Sequence, residues 1–138
     1  METITNISNL IEAYVDRGDK EDINSLLKAQ DLLSGYSFHL AQIVGDAKGT
    51  YNNLLFTRKI TINRQMQSLL NAKISKAAAQ VQAESSAIGE EMIKAELDAE
   101  ADAYRADLLL NQVNKILSSM AQRISFMKQE YESTKRHV

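Results

Sequence analysis

Residues 109–131 read Leu-Leu-Asn-Gln-Val-Asn-Lys-Ile-Leu-Ser-Ser-Met-Ala-Gln-Arg-Ile-Ser-Phe-Met-Lys-Gln-Glu-Tyr, and the spacing of their apolar positions decides the fold class. Leu109, Val113, Ile116, Met120, Ile124, Met127 and Tyr131 follow one another at steps of 4, 3, 4, 4, 3 and 4. Side chains three and four residues apart share one face of an α-helix, whereas a strand alternates at every second residue. Leu109, Val113, Ile116, Met120, Ile124 and Met127 are therefore the expected packing stripe of a long helix, in a pattern close to a coiled-coil heptad.

The rest of the chain agrees with helix. Among 138 residues there is no proline and there are five glycines, so the usual turn formers are scarce and strands would lack their connections. Upstream of the quoted stretch, residues 77–103 are rich in alanine, and a long helix over about 77–134 is predicted. The stretch Asn71-Ala-Lys-Ile-Ser-Lys loses the pattern and is expected to turn. Before it, Ile23, Leu26, Leu33, Tyr36, Leu40, Val44, Ala47, Tyr51 and Leu54 form a second seam, continued by Ile62, Met66, Leu69 and Leu70. This predicts a helix over about 20–72, capped by Asp19 or Asp22. Gly35, Gly45 and Gly49 interrupt it, but the seam keeps phase across them. A continuous helix whose glycines let a partner helix approach is favoured over a break near Gly45–Gly49. Ile7, Leu10, Ile11 and Tyr14 predict a short leading helix over 3–17, stopped at Gly18. Arg136-His137-Val138 is expected to fray.

The predicted architecture is thus all-α, a single domain over 1–138. Two helices of ~50 residues would each run about 75 Å at ~1.5 Å per residue, so an elongated antiparallel hairpin is expected. Each helix of such a hairpin buries one stripe, and Leu27, Ile43, Leu55, Leu108 and Leu110 are left over, which predicts a homo-oligomer.

Charge supplies the functional clue. Residues 47–83 hold no acidic residue and six bases, Lys48, Arg58, Lys59, Arg64, Lys73 and Lys76. Residues 1–46 carry eight Asp/Glu against three Lys/Arg, and residues 84–107 carry eight against two, so the overall charge of −2 conceals a strongly positive block. Such a zone attracts polyanions. With the turn near 71–76, all six bases fall toward one end, interleaved with Asn52, Asn53, Asn63, Gln65 and Gln67. A surface of this kind suits single-stranded nucleic acid, whose binding is electrostatic and needs no element shaped for a duplex groove. Tyr51 and Phe56 are expected to pack rather than to stack on bases. The alternative reading of the block is a solvated face, or a set of partners for the acidic helix.

No other chemistry assembles. There is no cysteine, so disulfides and thiolate metal sites are excluded. His39 and His137 lack partners at ligand spacing. The pairs Glu96 with Glu100 and Asp98 with Asp102 lack the Glu-x-x-His motifs of di-metal helices. No phosphate loop or nucleophile triad can be drawn, so neither cofactor nor enzymatic activity is expected. The opening Met1-Glu-Thr-Ile-Thr-Asn is unlike a signal peptide, and no run approaches the ~20 apolar residues of a membrane span. A cytoplasmic, membrane-free protein is expected.

Three stretches carry a resemblance: Arg58-Lys59-Ile60-Thr61-Ile62, Ser75-Lys76-Ala77-Ala78-Ala79, and Leu109 through Lys128. Over most of residues 25–132 the layout resembles small helical proteins that tailed phages encode beside their recombination genes, and at greater distance it is similar to the UvsY recombination mediators. The resemblance implies a helical homo-oligomer that binds single-stranded DNA and helps load a strand-exchange recombinase onto strands covered by single-strand binding protein. It also places Arg58 and Lys59 in the family's basic DNA-contacting stretch. The rival expectations are a helical scaffold or interaction module, and an inhibitor of a host protein that mimics nucleic acid with its 84–107 face.

Overall fold

A computed structural model describes residues 2–17 and 22–136, and these form four helices and no strand: α1 (Glu2–Arg17), α2 (Ile23–Asn71), α3 (Lys76–Ser85) and α4 (Ala87–Arg136). Gly18 and Asp19, the expected stop and alternative cap, lie outside the described residues, as do His137 and Val138. Asp22 caps α2, its Oδ1 accepting from the Ser25 amide at 2.7 Å. That hydrogen bond, first among the causes, holds the Asp22 carboxyl below the ordinary carboxylate range. α2 runs unbroken through Gly35, Gly45 and Gly49. The close approach expected at these glycines is not made within the chain, since a Cβ at any of them would meet nothing within 4 Å.

The chain forms two compact units. In the first (1–44 and 106–138), α1 packs with the first part of α2 and the last part of α4. Ile7, Leu33, Leu40, Val113 and Met120 are fully buried and form one cluster with Ile11. Each such side chain contributes about 1.5–3 kcal/mol on burial. Leu10, Tyr14, Leu109, Leu110, Ile116 and Leu117 pack around this cluster. α1 thus covers apolar surface that two helices alone would leave in water. Two side-chain hydrogen bonds tie it down, Asn6 Nδ2 donating to Tyr36 Oη at 3.2 Å and Tyr14 Oη meeting Ser119 Oγ at 2.7 Å.

The second unit (45–105) holds the rest of α2, all of α3 and the start of α4. Its buried side chains are smaller: Ile62, Ala79, Ala83 and Ala103. α2 ends at the turn the sequence predicts. The Ile74 amide donates to the Leu69 carbonyl at 3.1 Å and the Lys73 amide to the Leu70 carbonyl at 2.9 Å, the pair of bonds that defines a Schellman C-cap. Lys73 occupies the left-handed position of that cap at φ 67°.

The single helix expected over 77–134 is instead two. Ser86 is extended (φ −62°, ψ 155°) and separates α3 from α4. Its Oγ donates to the Ala83 carbonyl at 2.8 Å and accepts from the Gly89 amide at 3.1 Å, so one hydroxyl serves the end of α3 and the start of α4. A serine side chain that offers the backbone such alternative partners competes with helix, and here it outweighs the alanine-rich propensity. The bend presses Gly89 against the end of α3: a Cβ there would lie 2.4 Å from the Ala83 carbonyl oxygen and 2.8 Å from that of Glu84. Only glycine fits without displacing backbone.

Gly89→Ala is expected to destabilise the fold by about 2 kcal/mol or more through overpacking, whereas Gly35→Ala stabilises by up to about 1 kcal/mol through helix propensity; urea midpoints of the two variants check the opposite signs. For Asp22 the folded-state carboxyl titrates below its unfolded value. Its contribution is therefore present above the ordinary carboxylate range and is lost as pH falls through the folded value. Asp22→Ala is expected to lower the thermal midpoint at neutral pH, with the gap to wild type narrowing in acid.

Candidate nucleic-acid interface

The six bases of the positive block occupy quite different situations within the second unit. Arg58, half-buried on α2, is committed to Glu96 of α4: Nε donates to Oε2 and Nη2 to Oε1 at 3.3 Å. The side chains are 22% and 12% exposed. The hydrogen bond to Glu96 raises the Arg58 pKa further, so the guanidinium is permanently charged. Arg58, which the resemblance sets with Lys59 in a DNA-contacting stretch, thus turns its forked donor face to a partner inside the unit.

Lys59, Arg64, Lys73 and Lys76 are exposed. Lys59 lines a groove of about 270 Å³ with Asn63, Met66, Gln80 and Glu84. Arg64 is five residues further along α2, which turns it about 140° around the helix from Lys59 at ~100° per residue. The continuous positive strip expected from the sequence is therefore not a row. Lys59 and Arg64 lie 12 and 7 residues before the end of α2 at Asn71, about 18 and 10 Å at ~1.5 Å per residue. Lys73 sits in the turn itself, and Lys76 is the first residue of α3, next to the capping Ser75 whose Oγ accepts from the Ala78 amide at 3.3 Å. Lys48 is exposed, but 23 residues before Asn71 it stands about 35 Å back along α2 and outside this group.

Two lysines are placed against local preference. A non-glycine residue in the left-handed region costs roughly 1–2 kcal/mol, more than the ~0.3–1 kcal/mol a cation gains beside the carbonyl end of a helix. Lys73 is therefore a net expense to α2. Lys76 stands at the amino end of α3, where the helix dipole disfavours positive charge, and the first turn holds no acid to offset it.

The amides Asn52, Asn53, Asn63 and Gln67 are exposed as expected, while Gln65 is half-buried with its Oε1 3.4 Å from Ser86 Oγ. Tyr51 is half-buried. Phe56, expected to pack, is 66% exposed, because it faces away from Ile62 and the rest of the buried seam. Of the stripe on α4, Val113, Met120 and Ile124 are buried and Leu109, Ile116 and Met127 half-buried; Leu109, Val113, Ile116 and Met120 meet side chains of the same unit. His39 is exposed, and among the described residues no three His or carboxylate groups gather to hold a metal ion. No helix among them is long and apolar enough to cross a membrane. The acidic helix is among the partners the sequence offers the basic block, but the specific pairing of Arg58 with Glu96 and the φ of Lys73 are not legible in it. The two residues of the pair are 38 apart in sequence, and a left-handed φ has no signature in a lysine.

Comparison with protein-family models, with curated proteins and with solved structures gave no match for this chain.

The Arg58–Glu96 pair lies between an exposed pair, worth at most about 1 kcal/mol, and a buried one, where removing one partner costs about 3–5 kcal/mol. Glu96→Gln is expected to destabilise by about 1–3 kcal/mol in urea unfolding. In an Arg58→Ala/Glu96→Ala cycle the double variant should lose less than the two singles together.

Proposed function

We propose that the chain is a non-enzymatic helical hairpin that self-associates and binds single-stranded DNA through the cations around the 71–76 turn, as a phage-type recombination accessory. In this role it would assist a strand-exchange recombinase to load on strands held by single-strand binding protein. The observation that carries the reading is Lys73 at φ 67°, in a cap position where glycine is the ordinary residue. A charge kept at a backbone cost, beside a second lysine at an unfavourable helix start, points to use of that charge outside the fold. Lys59 and Arg64 extend the zone along α2, and a flexible strand can follow cations set at different angles around a helix where a stiff duplex cannot. The opposed order of the contacts Gln65 with Ser86 and Arg58 with Glu96 supports the antiparallel hairpin.

A second reading has its own support. Glu96 takes up Arg58 and Glu84 shares the groove of Lys59, so part of the basic block is answered within the chain. A scaffold whose charges serve only helix pairing would show the same two features.

Fluorescence anisotropy with an oligothymidine across a salt series separates them. With about four phosphates neutralised, the DNA reading expects log K to fall against log salt with a slope of about −3. Lys73→Gly is the sharpest variant: it should raise the thermal midpoint, because glycine suits the left-handed cap, while weakening DNA binding severalfold. Absence of binding at low salt leaves the scaffold.

A further inference from the structure

Within the second unit a groove of about 270 Å³ runs between α2 and α3, lined by Lys59, Ile62, Asn63 and Met66 from the first helix and by Gln80 and Glu84 from the second. Arg58 completes the lining, with its fork already held by Glu96. The volume falls just below the ~300–1,000 Å³ of pockets that enclose whole small ligands. A groove of this size takes one part of a ligand whose remainder continues outside it.

Its chemistry departs from that of the cationic zone beside it. Ile62 is buried and Met66 half-buried, so the floor is apolar and includes a soft thioether that packs well on aromatic rings. Glu84 is half-buried, and its Oε1 accepts from Gln80 Nε2 at 3.3 Å. A carboxylate offers about four acceptor sites, so Glu84 keeps capacity for further donors. The Arg58 guanidinium feels the charge of Glu84 but donates to Glu96. As a purely electrostatic feature an acid here works against an interface for phosphate. It gains a purpose if the inserted part of the ligand donates to it.

These requirements narrow the ligand. It must be anionic as a whole, to be drawn to Lys59, Arg64, Lys73 and Lys76. The part that enters must be uncharged, with an apolar face for Ile62 and Met66 and donors for Glu84. An arginine side chain of a partner protein satisfies Glu84 but is repelled by the neighbouring cations. A nucleobase on a phosphate backbone satisfies both. Among the four bases, guanine alone carries two adjacent donor groups on its Watson–Crick edge, N1–H and N2–H, matched to the two oxygens of one carboxylate. Its O6 acceptor suits the amide donors of Asn63 and Gln80. Adenine, cytosine and thymine each offer a single donor group on that edge.

We infer that this groove is a base pocket for guanine in a single strand, with Glu84 accepting from N1–H and N2–H and Lys59 meeting the adjoining phosphate. The inference rests on the nucleic-acid reading of the proposed function and adds to it a base preference that phosphate attraction alone does not give.

Anisotropy titrations of the full chain would compare an oligothymidine with the same strand carrying isolated guanines, spaced so that no guanine run folds on itself. The guanine strand should bind about fivefold tighter or more, the discrimination that one good bidentate contact provides. Hypoxanthine in place of guanine lacks only the 2-amino group and should lose most of that advantage, a comparison that needs no variant. Glu84→Gln keeps the shape of the side chain and an acceptor for Gln80, so its urea midpoint should stay near wild type. It should abolish the guanine preference while leaving oligothymidine affinity equal or higher, because an opposing negative charge is gone. Equal affinity for the two strands, hypoxanthine as good as guanine, or a preference that survives Glu84→Gln would overturn the inference and leave the nucleic-acid reading standing. Absence of binding to either strand would remove both.

Discussion

A long helix can bury one stripe of itself against its neighbours, and in this chain every buried residue of that stripe among those described is apolar. In the first unit, α1, α2 and α4 each bring residues at three- and four-residue steps to one cluster, and Ile7, Leu33, Leu40, Val113 and Met120 are removed from water entirely. No charged or polar residue is buried among those described, and apart from half-buried groups such as Arg58, Gln65 and Glu96 the charges and amides lie on the outward faces. The exposure of Lys59, Arg64, Lys73 and Lys76 is thus a consequence of how the seams are filled.

The second unit is built on a thinner margin. Alanine at positions 79, 83 and 103 buries little apolar area, so local devices carry more of the stability: the Schellman cap at 69–74, the shared hydroxyl of Ser86, the fit of Gly89, and the fork of Arg58 on Glu96. Elements held by few apolar contacts open more readily than a leucine and isoleucine core. The zone proposed to meet a flexible polyanion is the one whose packing is least demanding, and it accommodates Lys73 in a strained conformation that a tightly packed turn would resist.

Much of this organisation was legible in the residues. The stripe from Leu109 to Met127, the turn after Asn71, the leading helix and the cap at Asp22 all follow from local spacing and local hydrogen bonding, which a single stretch of sequence contains. What was not legible depends on partners distant in sequence. The break at Ser86 comes from a hydroxyl that serves both helix ends and is tolerated because residue 89 is glycine, and alanine-rich flanks conceal both facts. The fate of Arg58 depends on Glu96, on another helix. Phe56 sits two residues beyond the seam position Leu54, and that step of about 200° separates packing from exposure. The glycines of α2 suggest places for a close partner helix, but the single chain brings nothing within 4 Å of a Cβ built at them.

Amide chemical-shift mapping of the full chain during titration with an oligothymidine addresses the central claim directly, since it reports which residues feel the ligand as well as whether one binds. The account predicts salt-sensitive shifts concentrated at Lys59, Arg64, Lys73 and Lys76, with the core positions Ile7, Leu33 and Val113 unmoved. No shifts at low salt, or shifts centred away from the 71–76 turn, would contradict it.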